Sequence, residues 1–266
     1  MNAKRNKALR TVLFSVLGAV LIALLLSAGA FLFLPKSDPQ YVAHRGYSGR
    51  YVDNTAASFR AASEMPFYGI ETDVRETEDG VFVCNHDETA KYADGGQLTI
   101  AASTFTELAE KPLRNTKTDE DAFICTFEDY LRICKSGGKI AVIELKETFN
   151  ANKIAQILQI VDTAYDRAHI SVISFYIEPL LQVRQADPSV EIQYLSDTKD
   201  DPNFARCLRE DIPVDVRQSI LTKKLVREFH NEGLTVNVWT VNKKFDLTVV
   251  RIKGVDYVTS NFFCGQ

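Results

Sequence analysis

The sequence is short of several things that would each point to a chemistry. It has one tryptophan, four histidines and five cysteines in 266 residues. The cysteines (Cys84, Cys125, Cys134, Cys207, Cys264) form no CxxC pair, which removes support for thiolate-metal and dithiol redox sites. Their number is odd. One pair could close a disulfide outside the cytoplasm, but the spacing names no pair, and Cys84 and Cys125 sit in apolar runs where a thiol packs as a small hydrophobe. No basic stripe or polybasic arm is present and the formal charge is −4, which argues against a nucleic-acid partner. Beyond residue 39 no Pro/Gly/Ser-rich linker or low-complexity tract divides the chain, so one domain accounts for it. What is plentiful is apolar side chain: 45% of residues, enough for a large core and too much for a mainly disordered chain.

The charge is unevenly spread. Residues 1–39 carry five basic side chains (Lys4, Arg5, Lys7, Arg10, Lys36) and one acid (Asp38), whereas residues 40–266 carry 26 basic and 34 acidic side chains. Val12 to Leu34 is an uncharged run of 23 residues, and about 20 apolar residues cross the hydrocarbon core of a bilayer. Basic residues precede the run and a balanced Lys36/Asp38 pair follows it. The expectation is therefore a single-pass membrane protein: a basic cytoplasmic tail at 1–11, a transmembrane helix at 12–34, a tether at 35–39 and an extracytoplasmic domain at 40–266. A cleaved signal peptide is the alternative. Ser27-Ala28-Gly29-Ala30 offers small residues, but Phe31-Leu32-Phe33-Leu34 prolongs the run past the ordinary ~7–15 residues.

Short apolar runs rich in β-branched residues recur at 41–44, 70–74, 140–144, 170–174, 190–195, 213–216, 235–239 and 255–259. Helical patterns fall at 54–64, 126–136, 151–163, 177–186, 203–209, 219–231 and 244–252. Eight strands alternating with helices is the rhythm of an α/β fold of the TIM (β/α)8 barrel type, with a doubly wound sheet as the competing arrangement. Residues 75–125 read as a long second connection that holds an extra strand at 81–84 and a weakly helical stretch at 104–110.

Strands buried in a parallel sheet are expected to be apolar, so ionisable residues at their ends need a reason. His44-Arg45 ends the first strand, Glu71 and Asp73 the second, and Glu144 and Lys146 the third, while His86-Asp87 follows the extra strand. In a barrel those ends converge on one face. Glu71 and Asp73 are two apart and so share a side of their strand. Three converging carboxylates repel, and a hard divalent cation, Mg2+ or Ca2+, resolves the conflict. Ordinary ion pairing to Arg45, Lys146 or Arg75 is the plainer account of any one acid, but not of all three. His44 and His86 can divide acid and base roles near neutral pH, and Arg45 and Lys146 can grip an anion. Together these groups describe phosphoryl chemistry. His169 and His230 sit at a helix end or turn without a companion and receive no role.

A resemblance to a known family follows from His44-Arg45-Gly46, Asp53-Asn54-Thr55, Gly69-Ile70-Glu71-Thr72-Asp73-Val74, Asp79-Gly80, His86-Asp87, Thr126-Phe127-Glu128-Asp129, Glu144-Leu145-Lys146, Trp239-Thr240-Val241-Asn242 and Gly254-Val255-Asp256. Taken in order, these blocks resemble the glycerophosphodiester phosphodiesterases, which are PI-PLC-like phosphodiesterase TIM barrels. The resemblance implies metal-dependent hydrolysis of a glycerophosphodiester to an alcohol and sn-glycerol 3-phosphate. It also implies Glu71, Asp73 and Glu144 as metal ligands, His44 and His86 as the acid/base pair, and Arg45 and Lys146 as phosphate ligands. Asp53 stands where the family usually has Glu and joins the pocket candidates with Phe175 and Trp239. Which histidine is acid, and whether water or the glycerol 2-hydroxyl attacks, stays open at this level. A lysophospholipase D or teichoic-acid-type glycerophosphate hydrolase is the alternative on the same fold. A non-catalytic binding barrel and a paired-carboxylate glycosidase explain fewer of these residues.

Overall fold

The apolar runs become strands because their β-branched and aromatic side chains fill both faces of a parallel sheet. In the computed structural model, which describes residues 16–18, 20 and 37–263, β1 (Gln40–Ala43) and β2 (Gly69–Glu76) are followed by four short strands, β3 (Phe82–Cys84), β4 (Thr89–Lys91), β5 (Gln97–Thr99) and β6 (Cys125–Thr126). Six further strands complete the sequence: β7 (Ile140–Leu145), β8 (Ile170–Ser174), β9 (Glu191–Ser196), β10 (Val214–Arg217), β11 (Val236–Trp239) and β12 (Tyr257–Ser260). β1, β2 and β7 to β12 pair in parallel with their neighbours, and β12 pairs with β1, so the sheet closes as a (β/α)8 barrel. The doubly wound alternative is excluded by that closure.

Helices α1 (Ala56–Ser63), α2 (Phe105–Ala109), α3 (Phe127–Gly137), α4 (Ala151–Ala164), α5 (Ile177–Ala186), α6 (Asn203–Arg209), α7 (Lys223–Asn231) and α8 (Lys244–Lys253) follow. Their starts obey cap chemistry: Thr55, Thr126, Asn150 and Thr222 accept backbone N–H bonds from the first turns of α1, α3, α4 and α7. The Thr222 cap explains why α7 begins at Lys223 rather than at 219; Ile220 N–H bonds back to Arg217 in a turn instead.

The main core lies between sheet and helices, where Phe59, Tyr130, Leu180 and Phe229 are buried. Each such side chain contributes about 1.5–3 kcal/mol on burial. The Tyr130 hydroxyl donates to the Ile70 carbonyl at 2.6 Å and lies 3.2 Å from that of Val142, tying α3 to β2 and β7. A smaller cluster of Val42, Val142, Ile173 and Leu195 fills the barrel interior, with Trp239 packed against it.

The second connection is more ordered than its weak periodicity suggests. β3 pairs antiparallel with β2, β6 with β3, and β4 with β5. Val83, Ala90, Tyr92, Ile100, Leu108, Leu113 and Ile124 form a core of their own beneath them. The helix expected at 104–110 is α2, fixed by a Thr104/Glu107 capping box.

The chain divides into two compact units, Met1–Lys36 and Ser37–Gln266. The expected membrane span at 12–34 lies, apart from residues 16–18 and 20, outside the described residues, as does Cys264. Among the described residues no helix is long and apolar enough to cross a membrane. The barrel unit starts earlier than residue 40. Ser37 N–H bonds to the Arg251 carbonyl at 2.9 Å, and the Arg251 guanidinium donates back to the Ser37 carbonyl at 2.8 Å. Cys84, Cys125, Cys134 and Cys207 are free and buried, so no disulfide joins the described cysteines.

Candidate active site

Two strands deliver the acids. Asp73 and Glu144 are register partners on β2 and β7, and Glu71 lies two residues before Asp73 on the same face. One ligand atom from each lies within 4.8 Å of the others, and all three residues are buried. Asp73 faces Arg45 Nε at 3.1 Å and Lys146 Nζ at 3.4 Å, and Lys146 donates to Glu144 at 2.8 Å. Among the described residues Glu71 forms no salt bridge; its Oε2 accepts the Arg45 backbone N–H at 2.7 Å, and its Oε1 is buried without a hydrogen-bond partner. Ion pairing thus satisfies part of the cluster: Asp73 Oδ1, also without a hydrogen bond, faces Lys146, whereas Glu71 Oε1 has neither a hydrogen bond nor an ion pair.

The acids perturb one another. Burial, then the charges of Asp73 and Glu144, pushes Glu71 well above the ordinary carboxylate range. Burial and Asp73 raise Glu144 to about 7. Burial works in the same direction on Asp73, but Arg45, Lys146 and His86 overcome it and hold Asp73 below its usual value. Three buried oxygen donors, one without any partner, fit a hard divalent cation, and Glu71, Asp73 and Glu144 are the residues that can hold it.

The histidines differ in setting. His44, just past β1, has Nδ1 2.6 Å from Asn261 Oδ1. The amide oxygen accepts from Nδ1–H, which leaves Nε2 as the unprotonated nitrogen. Burial and then the Arg45 charge lower His44 to about 4. His86 follows β3 and has Nδ1 2.9 Å from the Asp87 carboxylate, which also accepts from Lys91 at 2.6 Å. Arg75 on β2 grips the His86 carbonyl at 2.8 Å and sets the loop's position.

His44, Arg45, Glu71, His86, Glu144 and Lys146 line one side of a cavity of about 330 Å3. Ile173, Phe175, Leu195, Asp215, Arg217 and Trp239 line the other. Phe175 and Trp239 meet edge to face at 5.9 Å between centroids, and the cavity volume falls in the size range of small-ligand sites. A second, more polar cavity shares Arg45 and His86 and is rimmed by Asp53, Asp87, Lys91 and Arg114.

The sequence profile of the glycerophosphoryl diester phosphodiesterase family matches residues 44–263. The chain belongs to this enzyme family. It is 24% identical over 233 residues to the glycerophosphodiester phosphodiesterase of Bacillus altitudinis, covering 83% of this chain and 93% of that one. Its fold is similar to a glycerophosphodiester phosphodiesterase from Parabacteroides distasonis, at 25% identity and a TM-score of 0.72 over 85% of this chain and 94% of that one. It is also similar in fold to an Oleispira antarctica phosphodiesterase in complex with the product sn-glycerol-3-phosphate, at 23% identity and a TM-score of 0.75 over 88% and 95% of the two chains.

With the family in hand, the motif residues acquire physical reasons. In His44-Arg45-Gly46, Arg45 has φ 55° and Gly46 φ 77°, and a Cβ on Gly46 would lie 2.7 Å from the Ser58 backbone. In Asp53-Asn54-Thr55 the buried members are Asn54 and Thr55, not Asp53. Asn54 Nδ2 donates to Asp73 Oδ2 at 2.7 Å while its Oδ1 accepts from Thr72 at 2.8 Å. Asp53 is half exposed, 3.5 Å from Arg45 and 3.8 Å from Lys117. Asn54 and Asn261 were both outside the expected site. Asn54 stood inside a recognised block, whereas nothing near Asn261 in sequence announces a partner 217 residues away. His169 and His230 are not companionless: Asp166 and Asp256 bind them at 2.7 and 2.8 Å. Both pairs precede barrel strands and so lie at the end of the barrel opposite the cavity.

Proposed function

We propose that this chain hydrolyses glycerophosphodiesters to an alcohol and sn-glycerol 3-phosphate, with Glu71, Asp73 and Glu144 holding one Mg2+ or Ca2+. The observation that carries the proposal is the convergence of that acid triad, two histidines, Arg45 and Lys146 on one cavity. A bound hard cation supplies polarisation of a phosphate oxygen and offsets the charge that develops on it. Arg45 and Lys146 hold the anionic phosphate against the carboxylates. His44, kept neutral with Nε2 free, takes the proton of the attacking group, which is either water, giving glycerol 3-phosphate directly, or the glycerol 2-hydroxyl, giving a cyclic phosphate that water then opens to it. His86, with the Asp87 carboxylate as a counter-charge behind its ring, gives a proton to the departing alkoxide. The half-exposed setting of His86 lets it recover that proton from solvent.

The test uses glycerophosphocholine, glycerophosphoethanolamine, lysophosphatidylcholine and a polyglycerol phosphate polymer with added Mg2+ or Ca2+. Release of glycerol 3-phosphate that EDTA abolishes supports the reading. Preference for the lysolipid or the polymer supports a lysophospholipase D or teichoic-acid-type activity instead. The histidine roles separate with a p-nitrophenyl glycerophosphodiester, whose leaving group needs no acid: His86→Ala is expected to recover most of its lost rate on it and His44→Ala none. Equal recovery by both variants overturns the assignment.

We further propose that residues 12–34 anchor the protein in a membrane with its N-terminus cytoplasmic and the barrel outside. The 23-residue uncharged run preceded by Lys4, Arg5, Lys7 and Arg10 supports this reading. A reporter joined after Gln266 is expected to be active only outside the cytoplasm; cytoplasmic activity overturns the orientation.

A further inference from the structure

Opposite the acid triad, the cavity wall holds a carboxyl group that the chemistry above does not use. Asp215 sits in the middle of β10, between Val214 and Val216, and its side chain faces the cavity. The residue is 1% exposed. One oxygen, Oδ2, accepts from Asn237 Nδ2 at 3.0 Å. That amide cannot be turned round, because its own oxygen accepts the Val238 backbone N–H at 2.7 Å. The other oxygen, Oδ1, is buried and has no hydrogen-bond partner. A buried polar atom left in that state is costly, and a ligand atom arriving from the cavity is what satisfies it.

The chemistry of that atom is constrained by its surroundings. Burial, with a contribution from Glu144, pushes the Asp215 carboxyl well above the usual range. With Oδ2 committed as an acceptor, a proton on the group sits on Oδ1 and points into the cavity. A hydroxyl suits Oδ1 in either state, accepting from the acid or donating to the carboxylate. A phosphate does not suit a carboxylate and has Arg45 and Lys146 on the other wall. A quaternary ammonium is opposed by Arg217, whose guanidinium lies 5.5 Å over the Trp239 ring where such a cation would stack. What remains is a polyol arm lying against the Phe175–Trp239 pair with its hydroxyl on Asp215.

Resting on the glycerophosphodiesterase reading, we propose that Asp215 binds a hydroxyl of the substrate's glycerol arm, so that the glycerol occupies the Phe175–Trp239 cavity and the alcohol headgroup leaves past His86 toward the second cavity. Asp215 is then a specificity residue: it sets which phosphodiester arm enters, without touching the phosphate.

The sole tryptophan, Trp239, lines the same cavity and reports occupancy by its fluorescence. The full-length protein with added Mg2+ or Ca2+ is titrated with sn-glycerol 3-phosphate and with propyl phosphate, which lacks both hydroxyls. The wild type is expected to prefer glycerol 3-phosphate on the order of 10-fold. Asp215→Leu is expected to bring the two ligands within about twofold by weakening glycerol 3-phosphate alone. Asp215→Asn, which can still donate and accept, keeps the preference. Asp215→Ser, polar but too short to reach the ligand, loses it and serves should the leucine variant not fold. A preference absent from the wild type, or unchanged in both Asp215→Leu and Asp215→Ser, overturns the proposal. Glycerophosphocholine turnover by the wild type is measured in parallel, so that loss of the glycerophosphodiesterase reading is seen separately from loss of the Asp215 assignment.

Discussion

The two walls of the main cavity come from one barrel and treat charge in opposite ways. β1, β2 and β7 crowd Glu71, Asp73, Glu144, Arg45, Lys146 and His44 together, so that acids and bases shift one another and one carboxylate oxygen is stranded. Across the ring, β9, β10 and β11 present Leu195, Trp239 and a single buried carboxyl held by an amide. Crowded charge is stored repulsion, which a cation can relieve and chemistry can use. An isolated polar atom in an apolar wall can only recognise. Substitutions on the first wall are therefore expected to change rate for all substrates alike, and those on the second to change which substrate binds.

The sharpest way to break that contrast is Glu71→Gln. It removes a metal ligand without changing shape, and kcat is expected to fall on the order of 10³-fold with the same factor for every headgroup. A loss confined to one headgroup, in steady-state assays of two substrates, would merge the two walls into one.

Next in size is the stability of the metal-free protein. An acid whose pKa is higher folded than unfolded holds its proton more tightly in the folded chain. Its stabilising share is full below the unfolded value and is lost as pH rises through the folded one. For Glu144, moved from 4.5 to about 7, that share is roughly 3 kcal/mol, and Glu71 and Asp215 act in the same direction. His44, lowered to about 4, works oppositely between that value and 6.5 and offsets one acid there. In EDTA, Tm is expected to drop by roughly 5–10 °C from pH 5 to pH 8, and Mg2+ or Ca2+ is expected to restore more of it at pH 8 than at pH 5. A Tm that rises with pH in EDTA, followed by calorimetry, would remove the repulsion argument. Glu71→Gln is expected to flatten the slope while lowering turnover as above, a gain of stability purchased with function.

The smallest effect belongs to the recognising wall. Phe175→Ala removes one edge of the aromatic pair, worth about 1 kcal/mol, so KM for glycerophosphocholine is expected to rise several-fold with kcat within about twofold. A fall in kcat with KM unchanged would place Phe175 on the chemical side.

The same contrast governs what could be read from the chain. The eight barrel strands stood out as apolar runs, and Glu71, Asp73 and Glu144 stood out by interrupting them at successive strands. Asp215 interrupts Val214 and Val216 in the same way, but alone it made no pattern. Asn54 and Asn261 are neutral amides whose importance lies wholly in partners distant in sequence, Asp73 and His44. The second connection was illegible for a different reason. Its core takes one residue from each of several short pieces, such as Val83, Tyr92, Leu108 and Ile124, and no single piece is long enough to show a period.

Arg45 and His86 border both cavities, and this has a bearing on turnover that the static geometry conceals. A centre with a single mouth must discharge its products in sequence, each waiting on the one nearer solvent. With the glycerol arm on Asp215 as proposed, the two fragments of a cut diester would lie on different sides of the shared partition, each beside its own cavity. Departure of one fragment would then not wait for the other, and accumulated alcohol would not block the path by which glycerol 3-phosphate leaves.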